Sequence, residues 1–266
     1  MSKIQIITIA TGCYKNFVPS FIESVQHFMP NDEKRITIYS DGLLEYQYYT
    51  NKYIKLINIK PLYDLIYPCI NINKPLFINE AIQNNADYIY WIDIDTIFKK
   101  VPYYDWNKMK NDLDSNKVLV TKHPFYILND NEVYWGRNKE ESVNNLYTKN
   151  LTEKDPLRSS YIPAEKYTYI NSAFWAANKT TIKRFNDKII ELTRQDLKRY
   201  PYGYRVPNYM DENYVNKIVY LYTTGKSKEF DFEINSYTAL CNMKSNEPDT
   251  VFMYQKNKEE LKQTRQ

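Results

Sequence analysis

Tyr88-Ile89-Tyr90-Trp91-Ile92-Asp93-Ile94-Asp95-Thr96-Ile97-Phe98 is an apolar, aromatic and β-branched run, a composition that predicts a buried strand. Two carboxylates interrupt it, at Asp93 and Asp95. Side chains at i and i+2 of a strand leave the same face, so the two are expected to point together. Like charges on an apolar strand are costly to bury without a cation between them. A divalent metal meets that need, because hard cations take carboxylate oxygens. A D-x-D at a strand end can hold such an ion against a diphosphate. The alternative is a strand that runs into solvent with two surface aspartates at its end.

Upstream, Ile4–Ala10 reads as a first strand and Thr11-Gly12-Cys13-Tyr14 as the turn off its end. Phe17, Phe21, Val25 and Phe28 fall at helical spacing, which predicts a helix over Asn16–Met29 ended by Pro30. Pro19 is tolerable in a first turn. Strands follow at Ile36–Tyr39 and Ile54–Ile59, then a helix over Pro75–Asn84. This alternation argues for an α/β fold with a mostly parallel sheet. Ligands in such sheets bind outside the carboxyl ends of the strands. The Thr11–Tyr14 turn and the Asp93–Asp95 pair therefore share one rim.

Downstream, strands are expected at Val118–Thr121, Tyr167–Ala177 and Phe230–Ile234. Helices are expected at Thr180–Tyr200, with Ile182, Phe185, Ile189 and Leu192 on one face, and at Asp211–Tyr222. The polar stretch Asn129–Ser160 shows little periodicity and is long for a loop. With no internal repeat and no linker, the chain reads as one domain over 1–266. Its parts are a regular half at 1–100, a less regular half at 101–240, and a basic tail at 241–266.

A formal net charge of +4, with dispersed charges, is not a nucleic-acid signature. Cys13, Cys69 and Cys241 have no paired spacing, so they read as free thiols rather than a zinc ribbon or a disulfide framework. No apolar run is long enough to cross a bilayer, and the first residues are too short and β-branched for a signal peptide. The expectation is a soluble, cytoplasmic protein, or one peripheral at a membrane, with no transmembrane segment. The five glycines form no phosphate loop or dinucleotide fingerprint.

Several residues carry candidate chemistry. Asp211 and Glu212 open a helix, where acids are favoured by the macrodipole by ~0.3–1 kcal/mol each. The functional alternative is a carboxylate at an anomeric carbon. Tyr14 could stack on a base or be an ordinary half-buried tyrosine. Trp135, beside Tyr134, could form a sugar platform or anchor a loop. Lys74, before Pro75, could reach a phosphate as a point charge or be a solvated helix-end lysine. His27 and His123 are isolated, so no zinc site is assigned.

Six segments in order then resemble one family. They are Ala10-Thr11-Gly12-Cys13-Tyr14 with Phe17, Phe21-Ile22-Glu23-Ser24 and His27-Phe28-Met29; Ile38-Tyr39-Ser40-Asp41; Asp87 through Phe98; His123-Pro124-Phe125-Tyr126; Glu153 through Pro163; and Met210-Asp211-Glu212-Asn213-Tyr214-Val215-Asn216-Lys217. Together the chain resembles glycosyltransferase family 6, which includes the histo-blood-group A and B transferases, the α-1,3-galactosyltransferases and shorter bacterial and viral relatives. The resemblance implies a GT-A type fold, a Rossmann-like sheet with acceptor-binding insertions. It implies retaining transfer of galactose or N-acetylgalactosamine from UDP to a hydroxyl of an oligosaccharide or glycolipid galactoside, in α-1,3 linkage. By position it implies Tyr14 on uracil, the Ala10 and Thr11 backbone beside it, and Asp93 and Asp95 on Mn²⁺. It further implies Glu212 beneath the anomeric carbon, Asp211 on the donor sugar, and Asn171, Ser172 and Ala173 selecting that sugar. Lys74 stands where the family has an arginine near the donor. Met210 replaces the family's acceptor-contacting histidine, and Trp135 and Glu212 complete the expected acceptor contacts. The Asn-Ser-Ala triplet leaves the donor sugar open. Basic tail residues could close over the phosphates as a lid. Other D-x-D retaining transferases, such as the glycogenin or lipopolysaccharide galactosyltransferase type, need a histidine near the C-terminus, and no histidine follows His123. From another class, a non-catalytic sugar-binding module is the alternative.

Overall fold

The computed structural model describes residues 3–28, 33–42, 44–59, 70–82, 85–98, 106–122, 157, 159, 161–162, 168–199, 211–235, 238–239 and 252–254. The β-branched runs pair as read from the sequence. β1 (Lys3–Ala10), β2 (Glu33–Ser40), β3 (Ile54–Asn58) and β4 (Tyr88–Ile92) lie in parallel, in the spatial order β3-β2-β1-β4. The sheet continues through β7 (Ile170–Asn178), β6 (Lys117–Lys122) and β8 (Asp231–Asn235), giving seven strands. Of these, β7 is antiparallel to both its neighbours, and the others share one direction. The architecture is α/β with a mostly parallel mixed sheet, compatible with a Rossmann-like fold. Strand order reverses between β1 and β4, and such a switch point opens a crevice at the carboxyl ends of the strands.

Helices cover both faces. Period-2 alternation sends Tyr88, Tyr90 and Ile92 of β4 to one side, with Ile4 and Ile6 of β1. There they meet Phe21 and Val25 of α1 (Val18–Phe28) and Met109 and Leu113 of α3 (Trp106–Asp114). Ile89 and Trp91 go to the other side, with Ile7 and with Trp175 of β7. That side packs on Phe77 and Ile78 of α2 (Lys74–Ala81), Ile182, Phe185 and Ile189 of α4 (Lys179–Arg199), and Val215, Ile218 and Val219 of α5 (Asp211–Thr223). Burying each such side chain contributes about 1.5–3 kcal/mol, so the sheet is fixed from both faces.

Three expectations are corrected in detail, and one helix was not anticipated. The helix read from Asn16 starts as a 3₁₀ turn over Gly12–Phe17, and the α-helix begins at Val18. Gly12, at φ 53, supplies the left-handed backbone that enters this turn. The helix read to Asn84 ends at Ala81. The strand read as continuous to Phe98 breaks after Ile92, and β5 (Thr96–Phe98) belongs to a second sheet, β5-β10-β9, with β9 at Thr238–Ala239 and β10 at Phe252–Tyr254. Helix α3 was not anticipated; among its described side chains the buried apolar ones are Met109 and Leu113.

Candidate active site

The site is built where β4 ends. Alternation places Asp93 on the Trp91 side of the sheet, and the Trp91 indole N–H donates to Asp93 Oδ1 at 3.0 Å. The Asp93 amide donates to the Ala173 carbonyl at 2.8 Å. Because β7 runs against β4, its opening residues arrive at the rim that β4 leaves. Thr121 of β6 pairs with Asn171 but Val120 pairs with Trp175, so Ser172, Ala173 and Phe174 have no β6 partner at this register shift. Such irregularities re-aim backbone and side chains beside sites, and here Ser172 meets Glu212 at the start of α5 while the Ala173 carbonyl meets Asp93 at the end of β4.

The expectation that Asp93 and Asp95 leave one strand face is corrected. The Asp93 carbonyl accepts both the Thr96 amide, at 3.1 Å, and the Thr96 hydroxyl, at 2.6 Å. Those two bonds close a turn over Asp93–Thr96 and end the strand. Asp95 is buried at 3% exposure, whereas the Asp93 side chain is 28% exposed. Asp93 Oδ2 accepts no hydrogen bond among the described residues. Beside this turn, Thr96 of β5 pairs with Tyr254 of β10, so the C-terminal segment is tied next to Asp95.

The cation on Asp93 is Lys74. Its ammonium lies 3.0 Å from Asp93 Oδ1 and 3.0 Å from Asp211 Oδ2, and 3.5 Å from the Ser172 carbonyl oxygen. It also stands 5.3 Å from the Trp91 ring and 6.0 Å from the Trp175 ring, which are stacked on each other. Lys74 is 6% exposed and Asp211 2%. Neither the solvated helix-end lysine nor the solvated helix-opening acid describes them. Burial works against the Lys74 charge, but Asp211 and Asp93 outweigh it and hold the ammonium above its ordinary range. Burial pushes Asp211 up, and Lys74 partly offsets that.

Glu212 is the next residue of α5 and is also buried, at 6% exposure. Its two oxygens accept four hydrogen bonds. Oε1 takes the Tyr169 hydroxyl at 2.6 Å; Oε2 takes the Asn171 amide at 3.2 Å, the Ser172 backbone N–H at 3.0 Å and the Ser172 hydroxyl at 3.4 Å. Burial raises its carboxyl to about 7, against the lowering effect of the Tyr169 and Ser172 bonds. A carboxyl that titrates near neutrality in a polar cradle is poised for chemistry. Asn216, one turn along α5, fixes the cradle. Its amide donates to the Ile170 and Glu212 carbonyls and accepts the Ile170 N–H, each at 2.8 Å.

The structure therefore brings together Lys74, Asp93, Asn171, Ser172, Ala173, Asp211 and Glu212. Ala10 and Thr11 lie at the end of β1, the strand next to β4. Tyr14 is half-buried against the core, its ring 5.9 Å from Phe17. Trp135, Met210, the His123–Tyr126 motif and the basic residues of the tail lie outside the described residues. Sequence reasoning missed Tyr169, Asn216 and Trp91. Tyr169 shares strand parity with Asn171, Asn216 lies one helical turn from Glu212, and Trp91 shares parity with Asp93, so each could have been found from the residue it serves.

Among the described residues, no group of three or more His, Cys, Asp or Glu side chains is arranged to hold a metal. At the rim Asp93 Oδ2 is the carboxylate oxygen without a hydrogen bond among the described residues, and Asp95 beside it is buried. A hard cation bound by one or two carboxylates completes its shell from substrate phosphates and water. No protein-family model and no curated protein matches the chain. Among the described residues, no helix is long and apolar enough to cross a membrane.

Proposed function

We propose that this chain is a retaining glycosyltransferase of GT-A type. It moves galactose or N-acetylgalactosamine from the UDP-sugar to a hydroxyl of a galactoside acceptor in α-1,3 linkage. The observation that carries the reading is the pairing of two different acids on consecutive residues at the switch-point rim. Asp211 is ion-paired through Lys74 to Asp93, and Glu212 is cradled by four donors with its carboxyl raised to about 7. One unit suits the diphosphate and sugar hydroxyls; the other suits a developing positive charge at an anomeric carbon.

In this reading Tyr14 stacks on uracil, with the Ala10 and Thr11 backbone beside it. Asp93 and Asp95 would hold Mn²⁺ together with the diphosphate oxygens. Bound there, the ion supplies charge neutralisation to the departing diphosphate. Lys74 holds Asp93 and Asp211 at a fixed separation and screens their repulsion. Asp211 orients the donor sugar, and Asn171, Ser172 and Ala173 select it. Glu212, ionised, lies beneath the anomeric carbon as that carbon's bond to the phosphate oxygen breaks and the acceptor oxygen bonds on the same face. Tyr169 and Asn216 keep its oxygens aimed.

The test is a donor screen. UDP-galactose and UDP-N-acetylgalactosamine are offered with Mn²⁺ and a panel of fucosylated and unfucosylated galactosides, and UDP release is followed. Release stimulated by an acceptor supports transfer. A chain that binds sugars but releases no UDP is a sugar-binding module instead.

A further inference from the structure

Trp91 and Trp175 stand opposite each other in the register of β4 and β7, and their rings stack 5.7 Å apart at 22°. Both are closed off from solvent, at 1% and 0% exposure. Their surroundings are apolar, with Ile7, Phe77 and Ile89 in the same cluster. The two indoles are alike in packing and differ in one respect. The Trp91 N–H donates to Asp93 Oδ1 at 3.0 Å, whereas the Trp175 N–H has no acceptor among the described residues. Buried indole N–H groups usually find a partner. Here the stack forms with one of them unmet, so the bond that Trp91 makes acts on Asp93 rather than on the packing.

The last torsion of an aspartate is soft, so fixed donors decide which oxygen the carboxylate presents. On Asp93 both donors fall on Oδ1. The Lys74 ammonium lies 3.0 Å from that oxygen, and the Trp91 indole donates to the same one. Oδ2 accepts no hydrogen bond among the described residues, and the side chain is 28% exposed. The Asp93 amide is held as well, on the Ala173 carbonyl at 2.8 Å. Backbone and one carboxylate oxygen are pinned, and the other oxygen is left for a ligand. Lys74 divides its ammonium between Asp93 and Asp211. The Trp91 N–H is a single donor on a rigid ring, and its one acceptor is Asp93.

We propose that Trp91 is a positioning residue, which aims Asp93 Oδ2 at an incoming divalent cation. The inference rests on the reading of Asp93 as a cation ligand. Trp91 touches neither the cation nor the donor and acts through the Asp93 carboxylate. Hydrogen-bond partners of ligating groups typically govern metal affinity by about 10–100-fold. Trp91 is the partner whose removal leaves the charge of the site unchanged, whereas loss of Lys74 would strip Asp211 of its cation.

The experiment measures Mn²⁺ binding to the full chain by electron paramagnetic resonance in the presence of UDP. Wild type is compared with Trp91→Phe and Trp175→Phe. Each substitution keeps an aromatic ring in the stack and removes one indole N–H, and of the two N–H groups only that of Trp91 has an acceptor among the described residues. The expected result is a Mn²⁺ dissociation constant raised about tenfold or more by Trp91→Phe and unchanged by Trp175→Phe. Equal weakening in the two variants makes Trp91 a packing residue. Equal affinity in Trp91→Phe and wild type removes it from the cation's support. Either result overturns the inference and leaves the cation reading standing. No Mn²⁺ binding by wild type overturns the cation reading and the inference with it. Should Trp91→Phe not fold, indole N–H NMR of the wild-type chain with Mg²⁺ and UDP decides. A Trp91 resonance that moves saturably with Mg²⁺ supports the role, and one that stays fixed rejects it.

Discussion

Replacing Glu212 by Gln separates what this carboxylate costs the fold from what it does in the reaction. Burial raises the Glu212 carboxyl from 4.5 to about 7. The folded chain therefore keeps a proton that the unfolded chain releases as pH rises from 4.5 to 7. Stability is fully present below the unfolded value and falls as pH rises through the folded one. The loss comes to about 3 kcal/mol, at about 1.4 kcal/mol per pKa unit. For a chain of this length that is roughly 6 °C in the melting midpoint. Glutamine fits the same cradle without charge. Its oxygen can accept from Asn171 and Ser172, and its amide can donate to the Tyr169 oxygen, which a hydroxyl permits. Thermal midpoints of the two proteins should therefore agree near pH 4.5, with Glu212→Gln higher by roughly 6 °C at pH 8. Transfer should meanwhile fall by orders of magnitude with little change in UDP affinity. Identical pH dependence of the two melting curves would show that Glu212 is not a destabilised buried acid, and wild-type turnover in Glu212→Gln would remove it from catalysis.

Three further outcomes follow from the same geometry. Lys74→Met leaves Asp211 buried without its cation, which should cost about 3–5 kcal/mol of stability in denaturant unfolding; Asp211→Asn in that background should recover part of it, and an unaltered midpoint would sink the ion-pair account. The rate constant kcat/KM should rise with pH through about 7 as Glu212 ionises. Tyr169→Phe, which removes a hydrogen bond favouring the ionised form, should move that limb upward by about one to two pH units; a pH profile that does not move would leave Tyr169 a packing residue. Chelation by EDTA should abolish transfer and added Mn²⁺ restore it, whereas full activity in chelator would remove the metal from Asp93 and Asp95.

The parallel half of the sheet was legible because its strands are uniform β-branched runs bounded by turn residues. Ile4–Ala10 and Ile54–Ile59 needed no tertiary information. The end of β4 was not legible, since the alternation of Trp91, Asp93 and Asp95 continues unbroken in sequence. The strand ends because Thr96 turns two donors onto the Asp93 carbonyl, a local competition that hydrophobic periodicity does not register. Lys74 illustrates the same limit. By spacing it is a helix-opening lysine, and it becomes a buried bridge only when α2 meets β4 and α5 across the sheet. Glu212 also reads as an ordinary first-turn acid, until antiparallel β7 delivers Tyr169, Asn171 and Ser172 to it. Helix α3 was hidden because Met109 and Leu113, the buried apolar residues among its described side chains, are too few to set a period.

The most direct measurement is the anomeric configuration of the product. The purified chain is incubated with UDP-galactose or UDP-N-acetylgalactosamine, Mn²⁺ and a galactoside acceptor, and the configuration of the new linkage is read by proton NMR of the isolated product. The account predicts an α-1,3 bond, with the donor's configuration kept through the Glu212 side of the site. A β-linked product, or no product from either donor with any acceptor, would contradict it.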